Sequence, residues 1–148
     1  MEQLSSSPDR LIVQGHFSGF TPEEMFQHWV TPELLCKWWM EEAEVEPREG
    51  GKYRFAWPEM GWVLEGEYTE FLAPERLSFT WRWNHDPAER ETLLVQVDIT
   101  PAPEGGSVLT ITHGPYSDSA SDQEAKQGHL EGWIHFGMRL AGMRTSTA

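Results

Sequence analysis

The sequence predicts an α+β fold in which an antiparallel sheet of about seven strands packs against one long C-terminal helix. Three observations support this prediction. Apolar residues recur at helical spacing in two short segments near the N-terminus, alternate with polar residues through the middle of the chain, and return to helical spacing at the C-terminal end. The 148 residues are enough for one domain with its own core. The 8 Trp, 7 Phe and 3 Tyr predict that this core is aromatic.

One strand and two short helices form the predicted N-terminal part. Apolar and polar residues alternate imperfectly over residues 11–17, which indicates a strand. The TPEE segment at residues 21–24 begins a helix, because it supplies a capping threonine, a proline for the first position and a capping-box glutamate. The TPE segment at residues 31–33 begins a second helix. Since adjacent helical positions point in different directions, one of Trp38 and Trp39 is expected near the surface, where it could serve as a homodimer contact.

Six strands are predicted between the second helix and the C-terminal segment. Each strand is an alternation of apolar and polar residues, and turns rich in glycine, proline and charged residues separate them. They lie at about residues 43–46, 52–57, 62–69, 77–83, 93–99 and 108–113. Because the connections are short, consecutive strands are expected to be antiparallel neighbours in a meander.

The C-terminal segment is predicted to be one helix of about 20 residues, from about residue 122 to 142. A helix of this length and a strand of nine residues each span roughly 30 Å, so the helix can cross the whole sheet. Its apolar face carries Ala125, His129, Trp133, Phe136 and Leu140. The domain therefore covers residues 10–142, and residues 1–9 and 143–148 are expected to be flexible termini.

The charge balance and the cysteine content argue against several classes of function. Eleven basic and 24 acidic residues give a net charge of −13, which disfavours nucleic acid and anionic membrane surfaces as partners. A single cysteine, Cys36, cannot form an internal disulfide or a multi-cysteine zinc site. The first ten residues lack the features of a signal peptide, and no apolar run reaches 18 residues. We therefore expect a cytoplasmic protein that inserts into no membrane.

Five short motifs occur along the chain in a characteristic order. They are W-x-x-P-E-x-x-x-x-W-W at residues 29–39, G-G-K-Y-R-F at 50–55, G-E-Y-T-E at 66–70 with P-E-R-L at 74–77, L-T-I-T-H at 109–113, and G-W at 132–133. Together they resemble the motifs of the START-like (SRPBCC, Bet v-like) superfamily. Within it they are most similar to the bacterial AHSA-like branch, which is named for homologues of the activator of heat-shock-protein ATPase. The resemblance spans about residues 10–142.

The resemblance implies a helix-grip fold, in which a curved sheet wraps around the long C-terminal helix. It also implies an apolar cavity between the sheet and that helix, which relatives use for lipids, sterols, polyketides and other hydrophobic molecules. The family has no common catalytic motif, so no catalytic residue is carried over to this chain. The co-chaperone that names the family has a separate chaperone-binding domain, for which this sequence leaves no room, so a co-chaperone role in the stress response is kept only as an alternative.

The predicted function is the binding of a small hydrophobic or aromatic molecule in this cavity. Most candidate residues combine a ring with a polar tip that could orient a ligand, and all lie on the predicted inner face of the sheet or of the last helix. They are Trp57, Tyr68, Phe79, Trp81, His113, His129 and Trp133. No cofactor is predicted. No metal site is predicted either, because His129 and His135 point to different sides of the helix and no metal-ligand spacing occurs.

Two other classes of function stay open. An enzyme of the hydrolase or cyclase type would use His113 or Glu70 as its general base, since both continue the inward-facing alternation of their strands. A protein-interaction module would instead use the acidic outer face of the sheet, where Glu65 and Glu67 are expected to project. Binding that weakens steeply with added salt would distinguish the interaction module from a cavity-binding protein.

Overall fold

The computed structural model describes residues 1–4, 7–88 and 90–143, in which eight strands form one antiparallel sheet and three α-helices pack against it. The strands are β1 (Glu2–Gln3), β2 (Leu11–Phe17), β3 (Glu42–Val45), β4 (Lys52–Trp57), β5 (Trp62–Leu72), β6 (Arg76–Trp83), β7 (Leu93–Pro101) and β8 (Ser107–Gly114). The helices are α1 (Pro22–Val30), α2 (Pro32–Trp38) and α3 (Ala120–Met143), with a 3₁₀ turn at Pro58–Met60. The sheet order β1-β2-β8-β7-β6-β5-β4-β3 confirms the meander and the α+β helix-grip fold.

The sheet has eight strands rather than seven because a short strand at the N-terminus pairs with β2. The backbone N–H of Leu4 also donates to the carbonyl oxygen of Ile12 at 2.8 Å. The structure therefore forms strand hydrogen bonds where the sequence predicts the flexible residues 1–9. Two polar residues carry no periodicity, so the sequence offers no signal for this edge strand. At the other end, residues 144–148 of the second predicted flexible terminus lie outside the described residues.

Both predicted helix starts are confirmed. Helix α1 begins at Pro22, after Thr21, whose side chain accepts a hydrogen bond from the backbone N–H of Glu24 at 3.1 Å. The carboxylate of Glu24 accepts the N–H of Thr21 in return at 3.0 Å, which completes the capping box. Helix α2 begins at Pro32 and follows α1 almost directly.

The expectation that one of the two adjacent tryptophans lies near the surface is wrong. Trp38 is 1% exposed and Trp39 is 4% exposed. Helix α2 ends at Trp38, and Trp39 has φ −121° and ψ −64°, so the chain leaves the helical path at this residue. Both rings can therefore turn inward, and neither offers surface for a dimer contact.

A β-bulge in β5 overturns the expected inward position of Glu70. The register between β5 and β6 shifts between Tyr68 and Glu70, so that Glu70 lies opposite Ser78. Phe71 takes the next inward position instead and packs against Phe26, with ring centroids 5.3 Å apart. A single extra residue reverses the faces of a strand, which alternation in the sequence cannot reveal.

The outer face of the sheet carries charges of both signs. Glu44, Glu65 and Glu67 are exposed there, as the alternation predicts. They are interspersed with basic residues, and Arg54 forms an ion pair with Glu44 at 3.8 Å. This face is therefore less uniformly acidic than the sequence of β3 and β5 suggests.

Aromatic residues form two adjoining parts of the core. The phenyl cluster consists of Phe26, Tyr53, Phe55, Tyr68, Phe71 and Phe79. The indole cluster consists of Trp39, Trp57, Trp62, Trp81, Trp83 and Trp133. Contacting rings have centroids 4.5 to 6.1 Å apart in the phenyl cluster and 5.2 to 6.4 Å apart in the indole cluster.

Candidate functional site

A cavity of about 450 Å³ opens beside the indole cluster, between the sheet and the first half of α3. This volume is typical of small-molecule sites. The lining residues are Trp39, Trp57, Trp62, Trp81, Trp83, His85, Asp86, Pro87, Arg90, Ala125, Gly128, His129, Gly132, Trp133 and Phe136. Six of the eight tryptophans of the chain line it, so its walls are mainly apolar.

Strand geometry brings the tryptophans to one wall. Trp57 and Trp62 face each other as the last pair of the β4–β5 ladder. Trp81 and Trp83 occupy alternate positions of β6, so they project to the same face of the sheet. The indole N–H of Trp57 donates to the carbonyl oxygen of Trp39 at 3.1 Å, which ties the chain after α2 to this wall.

The opposite wall is low because α3 carries small residues there. Ala125, Gly128 and Gly132 line the cavity at spacings of three and four, so they share one face of the helix. A Cβ atom added to Gly128 or Gly132 would meet no atom within 4 Å. The space therefore exists because the helix offers little side-chain volume opposite the tryptophans.

A chain of polar contacts lies along one side of the cavity. The hydroxyl of Tyr116 is hydrogen-bonded to Nδ1 of His129 at 2.8 Å. The ring of His129 stacks on His113 with centroids 4.4 Å apart, and the indole N–H of Trp133 donates to Nδ1 of His113 at 3.1 Å. Burial lowers the pKa of His129 to about 4 and the pKa of His113 well below its ordinary value. Both imidazoles are therefore neutral at pH 7.

An ion-pair network lies at the mouth of the cavity. The guanidinium of Arg90 is 3.1 Å from the carboxylate of Asp86 and 3.4 Å from that of Asp122, and it donates to Oγ of Ser121 at 2.5 Å. Arg82 donates two further hydrogen bonds to backbone carbonyl oxygens of the segment that carries Arg90. These contacts join the β6–β7 connection to the start of α3.

The structure brings four of the seven predicted binding residues to the cavity. These are Trp57, Trp81, His129 and Trp133. Tyr68 and Phe79 lie in the phenyl cluster and are not part of the lining. His113 is fully buried beneath His129 and does not reach the cavity either.

Neither residue proposed as a general base faces the cavity. His113 has no exposed surface, and the tryptophan and histidine rings around it separate it from the open space. Glu70 lies on the outer side of its strand, where it accepts a hydrogen bond from Ser78 at 3.3 Å and lies 3.9 Å from Arg76. The geometry therefore gives an enzymatic reading no base at either position.

Several lining residues have no counterpart among the sequence predictions. They are Trp39, Trp62, Trp83, His85, Asp86, Pro87, Arg90 and Phe136, with the small residues of α3. Strand alternation could have found Trp83, which is two positions after Trp81. The segment containing Asp86 and Arg90 has no periodicity, so only its contacts with α3 reveal its place at the site.

Metal and membrane functions receive no support from the part of the chain that the structure describes. Within residues 1–4, 7–88 and 90–143, no three His, Cys, Asp or Glu side chains come together as a metal site would require. The helices of the same residues include none with the length and apolar character needed to cross a bilayer.

The fold and the site define a helix-grip domain with a cavity of ligand size beside its last helix. The chain matches the family described as Activator of Hsp90 ATPase homolog 1-like protein over residues 20–143, and it belongs to this family. The AHSA-like resemblance is thereby confirmed. No curated protein matches the sequence.

Solved structures share the fold over most of the chain. Protein MLL2253 from Mesorhizobium loti is 26% identical with a TM-score of 0.81, and the match covers 94% of this chain and 98% of that one. A protein from Rhodobacter sphaeroides is 24% identical with a TM-score of 0.83, and 99% of each chain is covered. DynU16, a protein in the dynemicin biosynthetic locus, is 19% identical with a TM-score of 0.75 over 90% of this chain and 46% of that one.

Proposed function

We propose that the protein binds a small hydrophobic or aromatic molecule in the cavity beside α3. The observation that carries the proposal is the pairing of six tryptophans with two glycines across a space of about 450 Å³. Apolar surface in contact with water is unfavourable, by roughly 25 cal/mol for each Å². A ligand that displaces this water recovers that free energy, which larger side chains on α3 would otherwise have supplied to the fold.

The decisive experiment fills the cavity without removing any contact of the fold. In Gly132→Leu a leucine side chain occupies the open space, and the helix gains a residue of higher helical propensity. Gly142→Leu is the matched control, because Gly142 lies on the same helix, outside the cavity lining, and also has no atom within 4 Å of an added Cβ. The probe is N-phenyl-1-naphthylamine, an uncharged dye whose fluorescence rises in apolar surroundings.

We expect saturable binding of the dye to the wild type and to Gly142→Leu, and affinity at least about tenfold weaker for Gly132→Leu, since one blocked contact region of this size is worth more than 1.4 kcal/mol. Equal affinity of all three proteins would contradict the proposal. Circular dichroism confirms that each variant keeps its fold.

The natural ligand requires a separate measurement. Non-denaturing mass spectrometry of the protein purified from its own organism would show whether a small molecule accompanies it. A discrete added mass that disappears on denaturation gives the ligand class. We also propose a cytoplasmic location, on the basis of the single half-buried cysteine and the acidic N-terminus, and cell fractionation tests it.

A further inference from the structure

We infer that the ligand is uncharged and presents a hydrogen-bond acceptor, such as a carbonyl oxygen, to the Nε2–H group of His129. This inference rests on the proposed function, because it concerns a molecule in the same cavity. It adds a residue that orients the ligand, a residue that positions it, and a class of ligand that the cavity rejects.

The first step concerns which nitrogen of His129 carries the proton. The Tyr116 hydroxyl lies 2.8 Å from Nδ1 of His129. Burial raises the pKa of Tyr116, so the phenol keeps its hydrogen. Among the described residues, Nδ1 of His129 is the acceptor within reach of that hydrogen, so the phenol donates and Nδ1 accepts. A neutral imidazole has one proton, which therefore resides on Nε2.

The second step concerns what Nε2 faces. His129 lines the cavity, and in the described part of the chain its Nε2 has no hydrogen-bond partner and is not sealed from solvent. On the opposite side its ring is stacked on His113, which holds the imidazole in place. The N–H group is thus a fixed donor at the edge of an apolar space. A hydrocarbon would remove its water without replacement, whereas an acceptor oxygen would satisfy it.

The third step concerns charge. Of the described residues that line the cavity, Arg90 is the one lysine or arginine. Its guanidinium is already held by Asp86, Asp122 and Ser121, and with two carboxylates around one cation this group has a net charge of −1. The whole chain has a net charge of −13. A carboxylate ligand would therefore lose its water without gaining a cation, which is strongly unfavourable.

Three matched probes test the inference by isothermal titration calorimetry at pH 7. They are 2-acetylnaphthalene, 2-isopropenylnaphthalene and 2-naphthoate, which have the same ring system and similar shape and differ in carrying a carbonyl group, a carbon–carbon double bond or a carboxylate. The proteins are the wild type, His129→Phe and Tyr116→Phe. Comparing the change for two probes across one substitution cancels the difference in their hydrophobicity.

We expect His129→Phe to weaken the ketone roughly threefold to tenfold and to leave the hydrocarbon unchanged or tighter, as the loss of one hydrogen bond predicts. Tyr116→Phe should weaken the ketone by a smaller factor, because Nδ1 can then take the proton. Naphthoate should bind the wild type at least about tenfold more weakly than the ketone does. Equal responses of ketone and hydrocarbon, or naphthoate binding as tight as the ketone, would overturn the inference.

A measurement on the unmodified protein covers the case in which a variant fails to fold. Two-dimensional NMR of the wild type labelled with ¹⁵N at histidine distinguishes the two imidazole tautomers. We expect the Nε2–H form for His129, and the Nδ1–H form would contradict the inference. If the hydrocarbon binds but the ketone shows no preference for His129, only this inference fails. If none of the three probes binds, the proposed function fails with it.

Discussion

The phenyl and indole clusters lie side by side on the inner face of the same sheet, yet only one of them encloses a cavity. The rings of the phenyl cluster contact one another closely, and Phe26 of α1 packs directly on Phe71. The indole cluster has larger rings but faces Gly128 and Gly132 of α3. The comparison shows that ring content does not decide where a cavity forms. The side-chain volume of the opposing helix decides it.

Glycine has opposite roles at the two clusters. At the phenyl cluster, a Cβ on Gly66 would lie 2.4 Å from the carbonyl oxygen of Thr80 and 2.8 Å from the ring of Tyr53. At the indole cluster, a Cβ on Gly132 would meet nothing. The first glycine allows close packing, whereas the second preserves empty space.

The largest expected effect is on the phenyl cluster. Phe79→Ala should lower the free energy of unfolding by about 3–5 kcal/mol, because a buried ring is lost and its closely packed neighbours cannot fill the gap. Urea denaturation measures this loss. The affinity for N-phenyl-1-naphthylamine should hardly change, since Phe79 does not line the cavity.

Trp62→Ala is the matched variant at the indole cluster. The Trp62 ring lines the cavity and is 40% exposed, so its removal should cost less than about half as much stability while weakening the dye. If both substitutions lowered stability and affinity in the same proportion, the distinction between the two clusters would be lost.

The next effect separates the clusters by pH. A histidine of the unfolded chain titrates near pH 6.5, whereas His129 in the folded chain has a pKa of about 4. Between these values the unfolded state binds a proton that the folded state does not, so stability is complete above about pH 6.5 and falls as the pH falls. From pH 7 to pH 5 the contribution of His129 amounts to a loss of about 2 kcal/mol, to which His113 adds.

Urea denaturation across this pH range is the measurement, and two variants are its controls. His129→Phe should reduce the slope of stability against pH, and His135→Asn, on the exposed side of α3, should leave it unchanged. The phenyl cluster should contribute nothing here, because burial raises the pKa values of Tyr53 and Tyr68 far above this range. An unchanged slope in His129→Phe would show that His129 titrates normally.

The smallest expected effects have opposite signs at the two glycines. Gly66→Ala should destabilise the protein by about 1 kcal/mol or more, because the added methyl group overlaps backbone atoms that cannot move freely. Gly132→Ala should stabilise it by about 1 kcal/mol, because alanine has the higher helical propensity and its methyl group is free of contacts. Thermal unfolding of the two variants beside the wild type checks both signs. A loss of stability in Gly132→Ala would mean that the cavity wall is more crowded than the structure shows.

Much of the fold follows from local patterns in the sequence. The TPEE segment at residues 21–24 specifies a capping box, and the alternation of Trp81 and Trp83 specifies which face of β6 they share. Such features depend on residues close together in the chain, where periodicity and capping chemistry act directly. For the same reason His129 and Trp133 could be placed on the inner face of the last helix before any contact was known.

The remaining features depend on contacts between residues far apart in the chain. The bulge that turns Glu70 outward arises from the pairing of β5 with β6, and the stacking of His113 on His129 joins β8 to α3. The ion pair between Arg90 and Asp122 likewise joins a segment without periodicity to a helix. The sequence by itself determined which residues are aromatic and which face they take. Only the tertiary structure decided which of them remain uncovered, because that depends on how much side-chain volume each helix places opposite the sheet.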